Sequence, residues 1–460
     1  ASNGIINAIQ QTNINTLGRN ISPSANFNFR SELDTTGSTL EFSYDFTHFN
    51  QNVNSHLNTA FLDSNKIEYG TRLDFKQENP FLVNLHTAKL DYNKPLKNKH
   101  SLGVGAKFTW TKTNNDIQFS NLVGTDYLND SLKSNKFQYI ENINALYATW
   151  NKEWKKGWST NVGLRMEQTN TNQYSLTLNN RTKRNYVDFF PSAFLQKVIK
   201  EKHNINLSYS RKIRRPDFNN LNPFQYYNSQ YSIWTGNANL RPEYINVTEI
   251  SYTYDNAYTF LIGHENIKNN YTYLARQNDS TKITTYQASN FKVRNNLNLT
   301  VNINKDIFKW WNISYSLQYT FFKYNSIVND VEFNLSSHKF NASFDNTFSL
   351  PKNFKINLFA FYTSPYLDAT DMMRSNGMVN ISISKSFFNN QLKIRIAGND
   401  IFGTINNSYN TKFLNIDSKF KEKFSARFFG LTVTYNFNKG KQFQNTRVNK
   451  SNEDEKSRIR

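Results

Sequence analysis

The chain contains no cysteine in 460 residues, which excludes disulfide frameworks, thiolate metal sites and cysteine nucleophiles together. Its seven histidines are scattered, with no HExxH or comparable spacing, so no metal centre and no cofactor is expected. Proline and glycine are scarce, at 9 and 16. No stretch approaches the roughly 20 apolar residues that a membrane-spanning helix needs. The sequence opens at Ala1 with no basic-then-apolar leader, which reads either as a processed signal peptide or as a fragment. Carboxylate, serine and histidine constellations are also missing. Asp368 with Asp371 and His264 with Glu265 are isolated pairs of the kind that solvent usually satisfies, so no enzyme is expected. The net charge of +20 would suit a nucleic-acid binder. The Lys and Arg residues are nevertheless spread over turns and loops without a compact basic domain, so anionic lipid or lipopolysaccharide is the expected partner and nucleic acid is not.

What the chain does have is alternation. In HSLGVGAKFTW, residues 100–110, Leu102, Val104, Ala106, Phe108 and Trp110 fall on one face and Ser101, Gly103, Gly105, Lys107 and Thr109 on the other. Leu40, Phe42, Tyr44 and Phe46 repeat the pattern, as do Leu297, Leu299, Val301 and Ile303, then Ile313, Tyr315, Leu317 and Tyr319, and Leu392, Ile394 and Ile396. Soluble strands run about five or six residues, whereas a tilted strand crossing a bilayer needs roughly nine to eleven. These segments have membrane length. A β-barrel satisfies its backbone between strands and turns only alternate side chains to lipid, so a mean hydropathy of −0.70 is compatible with a membrane protein. The expected fold is therefore all-β: a transmembrane, antiparallel, up-and-down barrel.

Seventeen strands are expected, centred in 22–33, 38–51, 84–95, 100–116, 137–154, 158–171, 186–199, 204–213, 244–254, 258–270, 284–305, 311–324, 333–350, 354–364, 378–388, 392–402 and 424–437. Short connections alternate with long ones, the latter including 52–83, 117–136, 214–243 and 403–423. Outer-membrane barrels have short periplasmic turns and long extracellular loops, so the long loops and the C-terminus are assigned to the extracellular and periplasmic sides respectively. The first strand then runs toward the periplasm. Bacterial single-chain barrels have even strand numbers, so an odd number of strands is expected upstream. Residues 1–437 read as a partial barrel, with 1–21 the remnant of an extracellular loop. Residues 438–460, ending SNEDEKSRIR, read as a disordered periplasmic tail. Trp150, Trp154 and Trp158 bracket one short turn and Trp310 and Trp311 sit beside another. They suit an aromatic girdle at the periplasmic interface, although Trp also flanks ordinary turns. The last strand, FFGLTVTYNF, ends on an aromatic and resembles the signal by which barrel-assembly machinery recognises its clients.

Between Tyr209 and Glu243 the sequence reads YSRKIRRPDFNNLNPFQYYNSQYSIWTGNANLRPE. The run Ser210, Arg211 to Arg215, Pro216, the element Leu221, Asn222, Pro223, Phe224, and the element Gly236, Asn237 to Leu240, Pro242, Glu243 resemble the signature of TonB-dependent receptors. In detail they resemble the outer-membrane β-barrel family common in Bacteroidetes. Ala238 stands where that family usually has proline, and the Glu-Asp-Glu-Lys run of the tail is also similar to this group. The resemblance implies a 22-stranded receptor with an N-terminal plug and a motif contacting the TonB complex, neither of which lies in these 460 residues. It implies import of a scarce solute such as a metal chelate, oligosaccharide or peptide. A passive porin or an adhesive, structural barrel is the alternative. Alternation places Lys212 and Arg214 on the interior face at the extracellular mouth and Arg211 and Arg215 near the outer headgroups. These cations suit either an anionic ligand or lipopolysaccharide phosphate and neighbouring carboxylates. Tyr226, Tyr227, Tyr231 and Trp234 suit either stacking on a sugar or siderophore or packing within the long loop.

Overall fold

The computed structural model describes residues 8–328, 331–423, 425–437 and 450–459. Its main body is a single antiparallel sheet in which each strand pairs with its sequence neighbour. Ile9–Ile21 and Ser24–Glu32 lie collinear against Thr39–Leu62, interrupted where Pro23 has no N–H to give to a ladder. Leu73–Leu96, His100–Val123, Asn135–Glu153, Trp158–Ser175, Asn180–Ile199, His203–Arg214, Glu243–Tyr254, Tyr258–Lys268 and Val293–Phe308 continue the wall. Trp311–Val328, Val331–Leu350, Phe354–Thr363, Asn376–Phe387, Leu392–Asn399 and Phe428–Tyr435 complete it. With the collinear pair counted once and the short return Asp126–Asn129 set aside, this is the expected seventeen. Among the described residues no ladder joins the first strand to the last, and Phe27, Phe29, Phe429 and Leu431 on those two edges are all more than half exposed.

Sidedness follows the alternation. Outward Val104, Phe108, Leu146, Val162, Leu164, Ile250, Ile262 and Leu299 are exposed, while inward Thr109, Thr111, Thr113, Glu141 and Thr169 are buried. An apolar exterior over a polar interior is the pattern of a wall with lipid outside. The short turns close in two or three residues with paired left-handed conformations, as at Lys200 and Glu201 (φ 49° and 57°), Asp255 and Asn256 (both 53°), and Lys352 and Asn353 (59° and 61°). Positive φ at both central residues matches the twist of the flanking strands. Both tryptophan groups lie at this short-turn end. Trp310 stacks on Phe308 at 5.6 Å, and Lys152 sits 4.1 Å over the Trp154 ring.

Four expectations are corrected. Residues 1–21 are not a loop remnant from Ile9 onward, because Ile9–Ile21 pairs in register with Asn50–Leu62. The loops at 52–83 and 117–136 are largely strand, and those at 214–243 and 403–423 carry short strands of their own. Thr39–Leu62, Leu73–Leu96 and His100–Val123 each run 24 residues and rise well past the apolar belt. The strand expected over 284–305 divides in two. Thr284–Asn290 joins Gln225–Ser229, Ser232–Thr235 and Tyr271–Gln277 in a separate sheet at the long-loop end, and the wall strand begins at Val293. A second small sheet there comprises Tyr366–Asp368, Asp371–Met373, Asn407–Phe413 and Ile416–Glu422. Finally, residues 438–449 of the expected disordered tail lie outside the described residues, but Lys450–Ile459 is ordered inside the barrel, with a turn of helix at Glu453–Lys456.

Candidate functional site

His203–Arg214 delivers the chain to the long-loop end, where Pro216 cannot continue the ladder and the segment turns inward across the interior. A single helical turn, Phe218–Leu221, buries Phe218 and Leu221 against Phe81, Val83, Phe137 and Tyr139 of the wall and Leu240 from the far end of the same loop. Polar anchoring accompanies this packing. The Asn222 amide donates to Asn115 Oδ1 (3.0 Å) and accepts from Asn135 Nδ2 (3.3 Å). Asn115 in turn donates to Asn79 (2.7 Å), and Ser175 donates to Asn135 (3.0 Å). One motif asparagine thereby joins a hydrogen-bonded chain that reaches four wall strands. The second half of the loop is held by Arg184, which donates to the Ala238 carbonyl at 2.9 Å and also to that of Leu240. Asn237 Nδ2 donates to the Ala288 carbonyl at 3.1 Å, and the Asn237 amide donates to the Asn220 carbonyl at 2.7 Å.

Gly236 explains the glycine of this element. A Cβ there would lie 2.2 Å from the Asn222 carbonyl oxygen and under 3 Å from those of Asn219 and Asn220. Backbone, which cannot swing aside, surrounds the position. We expect Gly236→Ala to destabilise the loop by about 1–3 kcal/mol through overpacking, read as faster hydrogen exchange over 216–242 while the wall strands keep their protection.

The cations divide. Arg215 is not at the headgroup level. The regular strand ends at Arg214, the alternation lapses before Pro216, and the Arg215 side chain turns inward to Glu167 (2.7 Å) and Thr169 (2.8 Å). Glu167 also holds Arg165 at 2.6 Å. A nearby carboxylate, Glu141, accepts from the Tyr139 hydroxyl (2.6 Å) and pairs with Arg458 (2.5 Å). Arg214 is half exposed yet pairs at 2.5 Å with fully buried Glu243, which also accepts from the Tyr271 amide (2.8 Å) and from Asn270 (2.9 Å). Arg211 faces outward over the Tyr244 ring at 5.2 Å. Lys212 is exposed. Of the proposed ligand cations, Arg214 and Arg215 therefore have structural partners and Lys212 remains open to solvent.

The aromatics divide as well. Tyr227 packs between Phe75 (6.0 Å) and Phe119 (5.1 Å), with Lys133 at 5.6 Å. Tyr226 and Trp234 instead line a cleft of about 350 Å³ with Phe224, Tyr273, Asn79, Asn115, Asn219, Asn220, Asn222 and Asn228. Trp234 stacks on Tyr286 at 4.8 Å and 12° and meets Tyr273 edge-on at 4.6 Å. Burial, with Asp217 nearby, pushes the Tyr273 phenol up to about 12, so it stays a donor and bonds Asn220. Of the cleft asparagines only Asn222 was singled out in the sequence, and of the buried carboxylates only Glu243; Asn79, Asn115, Asn219, Asn220 and Asn228, with Glu141 and Glu167, were not. A signal existed for the carboxylates: Glu141 and Glu167 lie mid-strand on the inward face, where a charge persists only when paired.

Residues 31–435 match the model of the outer membrane protein beta-barrel family. Among solved structures, the ferric-catecholate import receptor Fiu from E. coli K12 resembles the chain with a TM-score of 0.61 at 13% identity, covering 91% of this chain and 64% of that one. The copper transporter OprC gives 0.56 at 10% identity, over 90% and 72%. The siderophore receptor PiuA from Acinetobacter baumannii gives 0.53 at 14%, over 92% and 74%. At these identities the likeness is one of fold, and the chain spans less than two thirds of the length of Fiu. No curated protein sequence matches it.

Proposed function

Since the chain belongs to the outer membrane protein beta-barrel family, we propose that the intact protein is an outer-membrane receptor that imports a scarce solute, with TonB as its source of energy. In this reading the long-loop end is extracellular and the short turns and last strand are periplasmic. The tryptophan groups lie at the inner interface, the wall contacts lipid and lipopolysaccharide, and Phe428–Tyr435 is the segment read by the assembly machinery. The observation that carries it is the inward fold of residues 216–242. A porin's interior is a water-filled channel, whereas here a packed, hydrogen-bonded loop folds inward against the wall strands. The cleft beside that loop is lined by amides and rings. Asparagines present donors and acceptors together, and Trp234 and Tyr226 present flat apolar faces. This chemistry suits a hydroxyl-rich or amide-rich solute, an oligosaccharide, a peptide or a chelate with such groups, better than a bare anion, since Arg214 and Arg215 are already paired with carboxylates.

The test is binding to the purified intact protein, followed by tryptophan fluorescence during titration with a ferric hydroxamate, a xylo-oligosaccharide and a tetrapeptide. Saturable quenching by one probe, lost in Trp234→Ala and Tyr226→Ala but kept in Tyr227→Phe, is expected. Equal signals from wild type and Trp234→Ala would place the ligand elsewhere, and no saturation with any probe would favour the porin or adhesin reading.

A further inference from the structure

The segment Lys450–Ile459 contains a regular set of anchors. Asn452, Glu455 and Arg458 are buried at 0, 6 and 7% exposure, while Glu453, Asp454 and Ser457 between them are exposed. Three-residue spacing puts the anchors on one side of the Glu453–Lys456 turn. Each has its own partner on the interior wall. Asn452 donates to Thr47 (3.2 Å) and Ser451 bonds Asp45. Glu455 accepts from Lys107 (2.9 Å) and Thr109 (3.3 Å). Arg458 forms a two-pronged pair with Glu141 at 2.5 and 3.3 Å. Forked guanidinium–carboxylate pairing is among the most directional contacts available to a side chain.

Arg458 also reaches the 216–242 loop. Its Nε donates to the Pro216 carbonyl (3.0 Å), the Phe218 amide donates to its carbonyl (3.3 Å), and its guanidinium lies 4.3 Å over the Phe218 ring. Ile459 packs into the cluster that holds Phe218, Leu221 and Leu240. The anchors thus run from Asp45 on one wall strand to the base of the inward loop.

We propose that residues 450–459 are an internal strap: a segment following the last wall strand that docks within the barrel and locks the base of the mouth loop. Its receptor is the line of inward groups Asp45, Thr47, Lys107, Thr109 and Glu141, and its release frees the Pro216 carbonyl and the Phe218 amide. The strap thereby links the chain beyond the last strand to the loop beside the cleft. Docking and import are separate: a free tail overturns the strap and leaves the transport reading standing.

These 460 residues contain no cysteine, so cysteines introduced here are the reporters once any cysteine elsewhere in the intact protein is replaced by serine. In the intact protein in outer membranes, Thr47→Cys with Asn452→Cys is treated with a short bis-methanethiosulfonate reagent, and Asn452→Cys alone is treated with a maleimide. A docked strap gives an intrachain cross-link and slow labelling. Arg458→Ala then raises the labelling rate on the order of tenfold or more through loss of the forked pair and speeds hydrogen exchange over 216–222. The charge exchange Glu141→Arg with Arg458→Glu restores protection. Rapid labelling at position 452 that is indifferent to Arg458→Ala, with no cross-link, overturns the proposal. The single-cysteine variant alters only the tail, so a double variant that fails to fold does not leave the question open.

Discussion

Glu167→Ala is expected to lower barrel stability by about 3–5 kcal/mol, the range for removing one partner from a buried ion pair. Arg215 is about 11% exposed and Glu167 about 9%, so the guanidinium left behind has little water to replace the carboxylate at 2.7 Å. Arg165 loses its 2.6 Å contact to the same group. Glu141 lies near enough to share the charge of Arg215 but is already committed to Arg458 and Tyr139. The loss is read as the denaturant midpoint of the folded band in heat-modified gels. Glu167→Gln keeps one acceptor and is expected to fall between the two. A midpoint unchanged in Glu167→Ala would mean that Arg215 is solvated, and the inward turn after Arg214 would be wrong.

Leu146→Arg is expected to cost about 2–4 kcal/mol in a bilayer, the cost of a basic residue on the lipid face near the midplane. Leu146 sits mid-strand, 58% exposed, with Ala106 and Met166 opposite it on the neighbouring strands. Ser208→Arg, on the inward face and opposite Glu249, is expected to change stability by less than about 1 kcal/mol, as a solvated pair would. Urea unfolding from liposomes measures both. Equal costs would deny that the two faces of the wall meet different solvents.

The wall was legible because its outward residues obey one rule over many strands. Its upper reaches were not, because the apolar phase reverses there. In His100–Val123, Leu102, Val104 and Phe108 point out, but Ile117 and Phe119 point in and are buried. Thr39–Leu62 does the same between Phe42 and Leu57, and Leu73–Leu96 between Leu90 and Phe81. Above the apolar belt the outer face no longer meets lipid and the inner face packs on loops, so a pattern tuned to lipid reads as a break. Motif residues were found by resemblance, yet their roles came from packing. Asn222 is a bracket, Gly236 fills a space without room for a methyl group, and Arg215 neutralises a carboxylate 48 positions away. The tail misled for a similar reason. A charged run with few apolar residues looks solvated, and the partners that make it order, Lys107 and Glu141, lie more than 300 residues upstream.

Single-channel conductance of the intact protein in planar bilayers tests the gated-receptor reading most directly. The inward loop and the strap predict no steady conductance in the wild type. They predict discrete openings once Asn222→Ala and Arg458→Ala have loosened both. Steady, ohmic, porin-sized conductance in the unaltered protein would contradict the account.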